Sequence, residues 1–127
     1  MRTIPAVGVS TQELVHAFNV VKTSLNPNYL KLLGLLYSAG KNGLTATEAA
    51  TKLEYAGFQG ANAAVGAIGK KLLAELSVEW VNHIGRGFMP SSLYLDMRKE
   101  NESKGEHWRW TLCKEAREAI QQLKMFL

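Results

Sequence analysis

The hydrophobic period of this chain changes near Ser77, and that change limits its folds more than any other feature. Before it, apolar residues recur at three- and four-residue spacing, as on one face of a helix. Leu32, Leu33, Leu36 and Tyr37 form one such face, and Val65, Ile68, Leu72 and Leu76 another. After it, Val78, Trp80 and Ile84 alternate with polar residues, as do Trp108, Trp110 and Leu112. Alternation is the mark of a strand with one buried side. The expected class is therefore mainly α with a small β-hairpin.

Punctuation residues divide the helical part. Ser10 and Glu13 have the spacing of a capping box, and Leu14, Phe18 and Val21 follow at helical intervals, predicting a first helix over 11–24. Pro27 breaks that helix and can open the next. The second helix should stop at "GKNG", where Gly40 and Gly43 can take positive backbone angles. Thr45 and Glu48 form a second capping box before a short helix ending near Leu53. "EYAGFQG" reads as a turn, and a glycine-bearing helix follows over about 61–76. The two alternating runs look like an antiparallel pair, with a loop over 86–107 between them. Phe88, Leu93, Tyr94 and Leu95 in its first half can pack or extend the sheet. "CKEAREAIQQLKMFL" closes the chain as a last helix.

This order resembles the winged-helix superfamily of helix-turn-helix proteins, with an additional N-terminal helix over 11–24. The likeness is carried by "YLKLLGLLYSAGKNGLTATEAATKL", the turn, the glycine-bearing helix and "HWRWTLCKEAREAIQQL". It implies a single domain: a helix-turn-helix core and first wing strand over 28–85, a wing loop over 86–107, and a last strand and helix over 108–127. Cys113 falls near the position where such proteins often place a Ser or Thr cap. A fainter likeness links "GFQGANAAVGAIGKKLLAEL" to helical modules of bacterial modification-dependent HNH restriction endonucleases. It implies a DNA-engaging accessory module, since the chain has no histidine–asparagine–histidine nuclease core.

In such a fold the second helix of the turn motif enters the major groove. Here that is the glycine-bearing helix, whose face opposite the apolar stripe carries Asn62, Ala63, Gly66, Ala67, Lys70 and Ala74, with Gln59 just before. Gln59 and Asn62 can bond adenine, Ala63 can touch a thymine methyl, and Lys70 and Lys71 can reach phosphates. Gly66 would let the backbone come close. The same small residues also suit a protein partner or internal helix packing. Arg86, in "GRG" at the start of the wing, is the cation there without acidic neighbours. Arg98, Lys99 and Lys104 are nearly cancelled by Asp96, Glu100, Glu102 and Glu106, as in a solvated loop. The three tryptophans fit core packing better than base stacking, and Tyr55 with Phe58 should staple the turn.

The 127 residues carry a formal net charge of +4, spread along the chain. This permits a polyanionic partner without demanding one. The lone Cys113 suits a reducing cytoplasm. No apolar run approaches the roughly 18 residues of a membrane span, and the first residues do not read as a secretion signal. No metal-ligand spacing, phosphate loop or paired carboxylates appear. His83 and Cys113 would be the one candidate nucleophile pair if they met across the sheet. The expectation is no enzyme and no cofactor. The competing functions are a DNA-binding small regulator or module reading double-stranded DNA, and a protein-interaction winged helix, such as a phage-type inhibitor or adaptor of a nucleic-acid enzyme. Leu14, Phe18 and Val21 either make a homodimer or cover the chain's own core.

Overall fold

The computed structural model describes residues 2–5, 9–76, 78–83, 87–88, 90–99 and 108–126. Among them are helices α1 (Thr11–Val21), α2 (Pro27–Ala39), α3 (Ala46–Leu53), α4 (Phe58–Ala74) and α5 (Lys114–Leu123). Six short strands accompany them: β1 (Arg2–Pro5), β2 (Leu44–Thr45), β3 (Val78–His83), β4 (Gly87–Phe88), β5 (Leu95–Lys99) and β6 (Trp108–Leu112). The protein is thus mainly helical with a small three-stranded antiparallel sheet, β2-β6-β5. A second sheet, β1-β3-β4, joins β1 parallel to β3 and β4 antiparallel to it.

The helix starts follow from capping chemistry. The Glu13 amide donates to Ser10 Oγ at 3.1 Å, and the Ser10 amide donates to Glu13 Oε1 at 3.2 Å. At α3 the Glu48 amide donates to Thr45 Oγ1 at 3.1 Å, and the Thr45 amide to Glu48 Oε1 at 2.9 Å. Each box satisfies amides that the first turn leaves without helical partners. Asn26 caps α2 through its side-chain oxygen, and Pro27 occupies the first turn, where its missing N–H is no loss. α1 stops at Val21 rather than Ser24. Both the Ser24 amide and its hydroxyl donate to the Val21 carbonyl, closing the helix there.

Two expectations about the second half are corrected. The runs containing Val78 and Trp108 do not pair: β3 and β6 lie in different sheets. The partner of β6 is β5, with Leu95 opposite Leu112 and Met97 opposite Trp110. Segment 86–107 is accordingly not one loop, because β4, a 3-10 turn at Pro90–Leu93 and β5 fall within it. The reason is burial. Leu93, Tyr94 and Leu95 are all buried and draw this segment into the core beside β6. The Cys113 amide then donates to the Tyr94 carbonyl at 3.0 Å, extending the ladder past Leu112.

One continuous core unites the helices. Leu14 and Phe18 of α1, Leu32, Leu33 and Leu36 of α2, and Ile68 and Leu72 of α4 are fully buried with Tyr94 and Ile120. α1 packs chiefly on α5, where Ala116 and Ala119 allow close approach. This settles the role of the first helix. Leu14, Phe18 and Val21 are 0, 0 and 4% exposed, so they cover the chain's own core and are not available for a homodimer. Trp110 and Leu112 are also core residues, as their alternation predicts. The side chains of Trp80 and Trp108 lie outside the described residues.

Candidate nucleic-acid interface

α3, a turn and α4 form the substructure on which the candidate residues sit. α3 ends with Glu54 in the left-handed conformation at φ 62°. The Glu54 amide donates to the Thr51 carbonyl and the Tyr55 amide to the Ala50 carbonyl. These two bonds make a Schellman stop, and they turn the chain sharply into α4. Ala49, Ala50 and Leu53 of α3 are buried, as are Ala61, Ala64, Val65 and Ile68 of α4. Small residues on both sides bring the two packed helices close.

α4 begins at Phe58, three residues before its expected start. Gly60 therefore lies inside the helix, and the Tyr55 ring explains it. A β-carbon at Gly60 would sit 3.0 to 3.1 Å from that ring. Tyr55 is the staple of the turn. Phe58 is not: it stays 47% exposed.

The glycines of α4 divide by environment. Gly60 is covered by Tyr55 and Gly69 is buried, so internal packing accounts for both. A β-carbon at Gly66 would meet nothing within 4 Å. Internal packing therefore does not explain Gly66. Gly66→Ala should raise stability by about 1 kcal/mol, the usual helix preference for alanine, measurable by thermal or denaturant unfolding.

Gln59, Asn62, Ala63 and Lys70 are exposed and Gly66 is half-buried, on the side of α4 away from Val65, Ile68 and Leu72, while Lys71 is exposed at the flank of that apolar stripe. One helix thus brings six of the seven candidate residues together. Arg86, the seventh, lies outside the described residues, as do Glu100, Glu102, Lys104 and Glu106. From Phe58 to Ala74 the helix carries no acidic residue, and Lys52 on α3 is exposed as well. This side is amide-bearing at its start and cationic toward its end.

Arg109 is a structural partner that the sequence pattern did not single out. From β6, its Nη1 donates to the Asn42 carbonyl at 3.0 Å, the Gly43 carbonyl at 3.3 Å and Glu48 Oε1 at 3.0 Å. It ties the turn before β2 and the first turn of α3 to the antiparallel sheet. The Thr45 amide and, next among the favourable contacts, Arg109 hold the Glu48 carboxyl below its ordinary range. A depressed folded-state value stabilises the fold above the ordinary carboxylate range, and this contribution is lost as pH falls through the folded value. Glu48→Gln should lower the melting temperature at neutral pH, with the difference from wild type shrinking in acid. Melting curves across the acid range test this.

Cys113 is the N-cap residue of α5, and its side chain makes no capping bond. Burial pushes its thiol up to about 12, which suppresses the thiolate at neutral pH. His83 lies on β3, in the other sheet, so the two do not meet across one sheet. Among the described residues no group of three or more His, Cys, Asp and Glu could hold a metal, and no helix is long and apolar enough to cross a membrane. Comparison with protein-family models, with curated proteins and with solved structures returns no match to this chain.

Proposed function

We propose that the chain is a winged-helix protein that binds double-stranded DNA without acting on it chemically, with α4 in the major groove. The observation that carries this reading is the position of β2. It lies between α2 and α3 and pairs with β6, giving the sheet order β2-β6-β5. That connection sets the first turn of α3 beside β6, where Arg109 meets Glu48, and in this reading the β5–β6 pair serves as the wing. β3, β4 and the 3-10 turn are then an insertion between α4 and the wing, and α1 with α5 is an added pair of helices. The exposed side of α4 supports the same reading, with cations at Lys70 and Lys71 and an open backbone at Gly66.

Phosphate contacts make binding salt-dependent, with a slope near −0.9 per contact on a logarithmic plot. Fluorescence anisotropy with a random-sequence duplex, at low and moderate salt, should show affinity falling steeply as salt rises. The Lys70→Glu, Lys71→Glu double variant should bind about tenfold or more weakly, with a slope shallower by about 2. Unchanged binding by that variant overturns the proposal. The bare backbone at Gly66 also fits a protein helix, and that alternative is favoured by a stoichiometric complex that survives high salt.

A further inference from the structure

Phe58 is not used by the fold in the way its position suggests. Tyr55 already covers Gly60, yet Phe58 remains 47% exposed. Val20 is the other large apolar side chain this exposed among the described residues, and it lies on α1. Phe58 instead neighbours polar candidates of α4. Residues four apart on a helix lie side by side. Phe58 is thus beside Asn62, and Gln59 is beside Ala63, and all four are exposed. The result is two pairs, each of one amide and one apolar group, in successive positions on one helix surface.

An A·T pair offers the matching chemistry in the major groove. Adenine presents N7 as an acceptor and N6 as a donor, which one carboxamide satisfies at once. Thymine presents a 5-methyl group, which an apolar side chain covers. A G·C pair has no methyl group there, and its cytosine N4 is a donor. Lys70 and Lys71, with no acid along the helix, supply the complementary charge for the flanking phosphates. Resting on the DNA-binding reading above, we infer that the first turns of α4 select A·T pairs, with Phe58 recognising the thymine 5-methyl group.

Removing that methyl group tests the inference without touching the protein. Three duplexes of equal length are compared by anisotropy at low salt: one of A·T pairs, the same duplex with uracil for every thymine, and one of G·C pairs. The A·T duplex should bind most tightly, the uracil duplex about fourfold more weakly per covered methyl, and the G·C duplex most weakly. Phe58→Ala should weaken binding to the A·T duplex about fourfold while leaving the uracil duplex, the salt slope and the melting temperature nearly unchanged. Equal affinity for the thymine and uracil duplexes overturns the inference and leaves salt-dependent DNA binding standing. A thymine preference that Phe58→Ala leaves undiminished overturns the role of Phe58. Failure to bind any of the three removes the DNA-binding reading and this inference with it.

Discussion

Gly43→Ala should destabilise the protein by about 3–5 kcal/mol, a large part of an ordinary folding free energy. Two effects add at this position. Gly43 has φ 65° and ψ −167°, a region that side chains other than glycine adopt only with strain of about 1–3 kcal/mol. A β-carbon there would also press into the Trp110 carbonyl oxygen and sit 2.8 Å from Thr111 Cγ2. The first of these is backbone of β6 and cannot rotate away. Relief requires β2 to move off β6, breaking the Leu44–Trp110 register. Gly40→Ala is the matched control. Gly40 also has positive φ, at 58°, but its β-carbon would meet nothing within 4 Å. That variant carries the conformational strain alone, about 1–2 kcal/mol. Denaturant unfolding of both variants separates the two contributions. Equal losses would show that the approach to β6 is not what requires glycine.

Tyr94→Ala should cost about 4 kcal/mol, and Tyr94→Phe about 1 kcal/mol. Tyr94 is fully buried, and its hydroxyl donates to the Val65 carbonyl at 2.7 Å. Truncation to alanine opens a ring-sized cavity between the 3-10 turn, the antiparallel sheet and α4. Phenylalanine keeps the packing and removes one bond, while the Val65 carbonyl stays within its helix. The pair therefore divides volume from hydrogen bonding by equilibrium unfolding. A pH profile adds a second readout. Burial raises the Tyr94 phenol well above its ordinary 10.0. The unfolded chain then ionises first, so this stabilisation is complete below about pH 10 and is lost as pH rises further. Tyr94→Phe should flatten the alkaline decline in stability.

How much of this was legible in the chain depended on how local the cause was. Ser10 with Glu13, and Thr45 with Glu48, satisfy amides within one turn, so the starts of α1 and α3 can be read directly. The stop at Gly40 and the opening at Pro27 are equally local. Strand partners are not local. Alternation around Trp80 and Trp110 marks two strands, and Leu93, Tyr94 and Leu95 read as able to pack or extend the sheet, but that their burial would set β5 rather than β3 against β6 is decided only in three dimensions. The start of α4 was obscured because Gly57 and Gly60 read as turn residues, while the Tyr55 ring that makes glycine fit at Gly60 is a tertiary contact. For the candidate site, the side of α4 bearing Gln59, Asn62, Ala63, Gly66 and Lys70 follows from the apolar stripe opposite it. Phe58 and Arg109 were missed for different reasons. Phe58 beside a turn resembles a staple, and its spacing to Asn62 gains meaning only once the helix includes both. Arg109 joins Asn42, Gly43 and Glu48 across more than 60 residues of sequence.

The pairing of α1 with α5 has a consequence for how the chain acquires its structure. The two helices are separated by about 90 residues, yet Leu14, Phe18 and Ile120 meet in one core. During synthesis the first helix leaves the ribosome long before its partner exists. The apolar side of α1 must wait, exposed or loosely covered, until Ala116, Ala119 and Ile120 emerge. Closure is therefore a late, long-range event, of the kind that slows folding and lengthens exposure to aggregation. A nascent chain arrested before α5 would hold the turn motif and α4 but lack the surface that seals the first helix.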